Sequence, residues 1–403
     1  MESRAEIVET MKRHIERICE RIGPRPPCSE GERKLGEYVQ AQWEPLSEQT
    51  ALEAFTCHPD AYPATFRWPI ALFILSLCLV HLLPWVALLC STVSVLILVF
   101  NMMLNIELID WLFPEKKSCN VFTRFDPQAA PDRTVLISCH HDSHVAFPIL
   151  NRFGAKYSWF MAMVVFSNVI LLALALFTVL FSLTGAESLL RGYQKIALPL
   201  LVLLTATVPL QLYTFLRVLS ETPVLGANDN LTGVAVCLAL ADHLSESKNR
   251  PKRTAVCLAS FGCEEIGIRG SKRFIRRYKE SVRDAFVLNL DMVGGKGTKL
   301  QVVTKEEKNL VPLSKKMVSL LQQVARENRI PLEAGPIIAF TDAMAFARKG
   351  IEATSLIALD EKGIVNTYHS VEDTPDNLDY DLLFDSYRLC IAFLKHIDAI
   401  PLS

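Results

Sequence analysis

The sequence predicts an α/β fold: a three-layer α/β/α sandwich with a mixed, partly parallel central sheet, plus four inserted transmembrane helices in two hairpins. Three observations predict it. Short apolar runs alternate with longer helical patterns, as in a sheet covered by helices. Two long uncharged apolar blocks interrupt that alternation. Acidic residues and histidines stand just beyond several apolar runs, where open α/β sheets place their ligand sites.

Helical patterns at Ala5–Ile22 and Ser29–Trp43 precede a strand-like run at Ala51–Cys57. Further strand-like runs cover Asn120–Phe125, Thr134–Cys139, Thr254–Phe261, Ala285–Leu290, Leu300–Val303 and Ala353–Leu356. Helical patterns separate the later ones: Leu231–Ser245, Gly270–Tyr278, Leu313–Glu327 and Ala343–Lys349, with Tyr380–Ile397 closing the chain. Removing the apolar blocks leaves one discontinuous domain, residues 1–66, 115–157 and 218–403. The blocks fall in loops, where insertions are best tolerated.

The first hairpin is expected at 68–104. Trp68–Leu104 holds no Asp, Glu, Lys or Arg, and breaks at Leu83-Pro84-Trp85. The second, 158–217, holds spans at Ser158–Leu183 and Ile196–Leu216 around the polar linker TGAESLLRGYQK. Four uncharged helices exceed what the core of such a domain buries. Arg67, Lys116, Lys117, Arg152, Lys156 and Arg217 flank the spans on the domain side, against Arg191 and Lys195 on the far side. That bias predicts a multi-pass membrane protein with its hydrophilic domain on the cytoplasmic side.

Composition agrees. Half of the 403 residues are hydrophobic, and mean hydropathy is +0.25. A net charge of -1 leaves no nucleic-acid footprint. Eleven cysteines without CxxC spacing read as reduced thiols on the cytosolic side. The N-terminal residues form a charged amphipathic pattern rather than a signal peptide.

Five segments carry candidate chemistry. His140-His141-Asp142-Ser143 follows a buried strand. His140 is placed to bind a metal, and Asp142 to accept its other ring N–H and fix the tautomer. His141 and His144 stay open as alternative ligands, as does a merely polar loop. Asp229, in Gly226-Ala-Asn-Asp229, opens a helix. Alone it reads as an N-cap, although a carboxylate held there can also bridge two cations.

Gly262-Cys263-Glu264-Glu265 follows a strand and precedes Gly267 and Gly270, a tight turn into a helix. Consecutive loop side chains point differently, so Glu265 reads as a metal ligand and Glu264 as a general base facing bound water. Asp291 directly follows an apolar run, where a buried carboxylate needs a cation or hydrogen bonds. His369 precedes the last helix and alone reads as a helix-flanking or core histidine. Imidazoles and carboxylates without thiolate partners suit zinc that holds a water, not a closed structural site.

The segments SCHHDS, GANDNLTGVA, FGCEEIGIRGS, LNLDMVGG and YHSVEDTPDN occur in the order seen in the co-catalytic zinc aminopeptidases of metallopeptidase family twenty-eight. The chain resembles that family over its whole hydrophilic part, including the entry helices around ERIGPRPPCSEGERKLGEYVQ. The resemblance implies two zinc ions per chain. His140 and Asp291 would complete one site, Glu265 and His369 the other, with Asp229 bridging them and Glu264 as the base. It also implies peptide hydrolysis through a hydroxide held between the metals, with aminopeptidase activity expected first. Thr341-Asp342 resembles the family's Ser/Thr-Asp pair near the substrate pocket. Thr232 stands where Ser is usual, and the hairpins are not part of the ordinary catalytic domain.

Two other readings compete. A non-enzymatic membrane scaffold keeping the fold is disfavoured because no ligand is missing. A glutaminyl-cyclase-like or amide-hydrolase-like enzyme is the second, and an intact Asp229 argues against a one-zinc version. The expected partners are a peptide substrate and the lipid bilayer, with no nucleic acid. Substrate residue preference and oligomeric state are not written in the sequence.

Overall fold

Near-continuous burial along the central strands marks a sheet with both faces covered. The computed structural model describes residues 3–127, 129–184, 187–306, 311–361, 363 and 367–400. The strands are β1 (Ala51–Cys57), β2 (Lys116–Phe125), β3 (Arg133–His140), β4 (Thr254–Phe261), β5 (Phe286–Asp291), β6 (Lys299–Glu306), β7 (Val311–Pro312), β8 (Glu333–Ile337) and β9 (Glu352–Leu359). They form one sheet in the order β1-β2-β4-β3-β5-β9-β6-β7, and β8 pairs with β6. The four central strands, β4-β3-β5-β9, run parallel. The pairs β1-β2, β2-β4 and β6-β9 are antiparallel.

The helices are α1 (Arg4–Arg21), α2 (Glu30–Trp43), α3 (Ala61–Leu79), α4 (Pro84–Ile97), α5 (Pro148–Phe153), α6 (Tyr157–Thr184), α7 (Glu187–Arg217), α8 (Thr232–Ser245), α9 (Arg269–Val282), α10 (Lys315–Glu327), α11 (Ala343–Ala347) and α12 (Tyr380–Ala399). A reciprocal cap starts α1: the Ser3 hydroxyl accepts from Glu6 N, and the Glu6 carboxylate accepts from Ser3 N. On β3, Val135, Ile137 and Cys139 enter a core shared with α1, α2, α8, α10 and α12. Leu136 enters the core on the other face, with Phe274 of α9 and Phe346 of α11. Burying each large apolar side chain stabilises the fold by about 1.5–3 kcal/mol, so both helix layers are held by the alternation of one strand.

The chain divides into two compact units. One comprises Met1–Pro59, Glu115–Ala146 and Glu221–Ser403, and the other Asp60–Pro114 and Phe147–Ser220. The first carries the whole sheet. The second holds α3 to α7, and its described residues include four helices long and apolar enough to cross a membrane: Ala61–Leu79, Pro84–Met103, Tyr157–Thr184 and Arg191–Arg217. Phe73, Ala87, Leu171 and Leu201 form its inner seam. Hydrogen bonds between Ser76 and Ser91 (2.6 Å), from Ser94 to Asn168 (2.5 Å) and from Gln211 to Ser167 (3.0 Å) join its helices. Leu82, Trp85, Leu89, Trp159, Phe166, Leu198 and Leu203 point outward.

Several boundaries differ from the sequence reading. The first span begins before its apolar block, so Arg67 lies inside α3. Arg191 and Lys195, read as linker, lie in α7, while Gly185 and Ala186 of that linker lie outside the described residues. Helical hydrogen bonds continue through a change of side-chain polarity, which a composition window reads as an end. β7 and β8 have no counterpart among the predicted runs. β8, Glu-Ala-Gly-Pro-Ile, has little strand propensity and is held by pairing with β6.

Candidate metal centre

Four parallel strands deliver the site at one sheet edge. His140 is the last residue of β3, level with Phe261 at the end of β4. Asp291 ends β5, level with Ile357 of β9. The turn after β4 carries Glu264 and Glu265, with Cys263 and Ile268 at positive φ (54° and 53°). His369 lies beyond β9, also at positive φ (48°). Asp229 sits just ahead of α8 with extended backbone (φ −109°, ψ 86°). All six side chains are buried.

Asp229 occupies the middle. Its Oδ1 lies 3.1 Å from His140 Nε2 and its Oδ2 lies 3.4 Å from His369 Nε2. His140 Nε2 also faces Asp291 Oδ1 at 3.6 Å, and His369 Nε2 faces Glu265 Oε2 at 2.9 Å. Donors held at 2.0–2.1 Å around one tetrahedral zinc stand about 3.3 Å apart, which these four separations bracket. Two donor groups result, His140-Asp229-Asp291 and His144-Glu265-His369. His144, an alternative to His140 in the sequence reading, thus falls beside His369, with rings stacked 4.0 Å apart. His141 is engaged elsewhere, its Nδ1 lying 3.0 Å from Ser260 Oγ.

The donor set fits a pair of cations. Both ring nitrogens of His140, Oε1 of Glu264 and of Glu265, and Oδ1 of Asp291 are buried without a hydrogen-bond partner. Such orphaned groups are costly unless an ion satisfies them. Nitrogen and oxygen donors alone match zinc.

The electrostatics show how crowded the charge is. Burial disfavours the His140 imidazolium, but the carboxylates of Asp142, Asp229 and Asp291 outweigh it and hold the ring well above its usual value. His369, likewise opposed by burial and favoured by Glu265 and Asp229, is held at about 9. Burial, reinforced by Asp229, raises Glu265 to about 7. Glu264 is also raised, by burial first, although His140 opposes the shift. Asp229 goes the other way: burial would raise it, yet the adjacent imidazoles of His140 and His369 pull it below the carboxylate range. Cations placed here would replace those protons.

Buried side chains hold the pieces together. Asp142 accepts from the backbone N–H groups of Glu264 and Glu265, each at 3.0 Å. Its Oδ1 is 3.5 Å from His140 Nδ1, so its firm bonds go to the glutamate turn rather than to the ring expected from sequence. Asp373 accepts from Asn228 N at 2.7 Å and Asp229 N at 3.1 Å. Arg25, fully buried, donates to the carbonyls of His141, Gly23, Leu225 and Gly226 at 2.7–3.0 Å. It stitches the His140 loop to the Asp229 loop.

Sequence reading missed Arg25 because an arginine in a Pro-rich turn reads as solvated. It passed over Asp373, although its Asp-Thr-Pro context offered a turn signal. Thr341, singled out earlier, donates to Glu306 Oε1 at 2.7 Å. Burial raises its neighbour Asp342 to about 7.

Fold and site together define an α/β domain with buried histidine–carboxylate groups that could hold metal ions. Residues 211–394, a little under half of the chain, match Peptidase family M28. The aminopeptidase YwaD of Bacillus subtilis is 28% identical over 175 residues, 41% of this chain and 36% of that protein. A vacuolar membrane protease of Phaeosphaeria nodorum is 40% identical over 72 residues, 18% of this chain and 7% of that protein. The chain therefore spans about a third or less of these curated relatives. Among solved structures, a Zn-dependent exopeptidase from Parabacteroides distasonis aligns with TM-score 0.57 at 13% identity, covering 96% of this chain and 97% of the other. The zinc aminopeptidase BSAP from Bacillus subtilis gives 0.57 at 14%, covering 96% and 94%. A Bacteroides thetaiotaomicron glutaminyl cyclase gives 0.57 at 13%, covering 96% and 97%. These likenesses concern the fold.

Proposed function

We propose that the chain is a membrane-anchored, zinc-dependent exopeptidase of the aminopeptidase kind, with two zinc ions per chain and the hydrophilic domain on the cytoplasmic side. The observation that carries the reading is Asp229, with one carboxylate oxygen toward each histidine. In this reading His140 and Asp291 would hold one ion and Glu265 and His369 the other, with Asp229 shared between them. Zinc held by these residues would supply a water of lowered pKa and polarisation of the scissile carbonyl. Glu264, buried with Oε1 free of hydrogen bonds, takes the water proton and returns it to the leaving amine. Asp142 keeps Glu264 and Glu265 aimed by holding their backbone.

Anchoring is supported by the outward apolar surface of the four long helices. The excess of Lys and Arg on the domain side of the spans supports the orientation. The test is a substrate profile on detergent-solubilised protein, with and without a chelator. Amino acids released from the amino end, lost on chelation and restored by zinc, are the expected result. Purified chain that binds no zinc would sink the proposal. Accumulation of a cyclised amino-terminal residue, with no cleavage, would select the glutaminyl-cyclase reading instead.

A further inference from the structure

Three cysteines from distant parts of the chain converge outside the zinc site. Cys28 lies between α1 and α2, Cys57 ends β1, and Cys263 lies in the turn after β4. Their sulfurs form a triangle with sides of 3.3, 3.5 and 3.5 Å. We propose that Cys28, Cys57 and Cys263 form a third metal site, which holds a thiophilic closed-shell cation, zinc(II) or copper(I), through three thiolates.

The triangle has the right size. Its sulfurs lie about 2.0 Å from their common centre, so an ion about 1.2 Å off their plane reaches all three at the 2.3 Å of a zinc–thiolate bond. That leaves one side open for a fourth ligand. The frame is also built. Buried Glu32 accepts from Cys28 N at 2.7 Å and from Cys263 N at 2.8 Å, locking two of the three cysteines to one carboxylate. Cys28 and Cys263 both adopt positive φ (60° and 54°), a conformation uncommon for residues other than glycine. A disulfide would use only two of these sulfurs, whereas all three touch. Cysteine sulfur is the donor that selects copper(I) or zinc over harder cations. The guanidinium charges of Arg269 and Arg273 act on Cys57 and offset thiolate charge.

Placement suggests a purpose. Cys263 directly precedes Glu264 and Glu265, so an ion here would clamp their turn to β1 and to the start of α2.

Metal analysis of the full chain, purified in detergent under reducing conditions, tests the site. Cys57→Ser should carry one ion fewer per chain than the unaltered protein and keep the ions of the histidine–carboxylate centre. Cobalt(II) titrated into the unaltered protein should give the sulfur-to-metal charge-transfer absorption that oxygen and imidazole ligands cannot give, and this needs no variant to fold. X-ray absorption at the zinc and copper edges then tells which ion the sulfurs hold. Equal metal content in both proteins, no charge-transfer band, or mass mapping that finds two of the three cysteines joined as a disulfide would overturn the proposal.

Discussion

Asp373 holds Asp229 by its backbone: Oδ2 of Asp373 accepts from Asp229 N at 3.1 Å, and Oδ1 accepts from Asn228 N at 2.7 Å. The two acids are thus linked through the backbone, one orienting the peptide from which the other projects. Asp373→Asn keeps the shape but replaces a charged acceptor with an amide. We expect metal affinity to fall about 10–100-fold, read by competition with a chromophoric chelator. Unchanged affinity would show that the loop is rigid without this clamp.

Glu264 is the group whose loss should separate chemistry from metal binding. Glu264→Gln is expected to lower kcat by about 10²–10⁴-fold while bound zinc stays at its original level. If zinc falls with activity, Glu264 is a ligand and its role has been misassigned.

Buried Arg25 donates to four carbonyls from three chain segments. Arg25→Met fills similar space without donors, leaving those acceptors unsatisfied. A loss on the order of 3–5 kcal/mol is expected, seen as a lower unfolding midpoint. The zinc-loaded protein should suffer less than the metal-free one, because bound ions tie the same loops together.

His14 gives a pH dependence outside the metal centre. Burial first, then the charges of Arg13 and Arg17, depress its ring to about 4, and Nδ1 lies 2.6 Å from Tyr38 Oη. In an unfolded chain the same ring titrates near 6.5. Between those values the unfolded state binds more protons, so stability rises with pH across the window. The contribution of the neutral ring is complete above about 6.5 and is lost as the pH falls toward about 4, on the order of 3 kcal/mol. Thermal midpoints measured at about pH 7.5 and about pH 4.5 should differ less in His14→Gln than in the unaltered protein.

Much of this molecule is written locally. The central strands β3, β4, β5 and β9 are apolar runs bounded by polar turns, so their burial was readable without knowing their neighbours. β8 was not readable, because its Gly and Pro say loop and only pairing with β6 makes it a strand. The ends of α3 and α7 were misplaced for the reason that backbone hydrogen bonds ignore the polarity on which the reading relied.

The site divides along the same line. Sequence by itself determined which acids and histidines stand at strand ends, since the order of apolar runs and turns is a one-dimensional property. Tertiary structure alone decided that Asp229 lies between His140 and His369, that His144 and not His141 joins the second donor group, and that Asp142 serves the glutamate turn. Strand order in the sheet follows from long-range pairing, and no local propensity records it. Arg25 shows the rule at its sharpest. Its charge is tolerated in the interior because carbonyls from two distant loops converge on it, and that convergence exists only once the chain has folded.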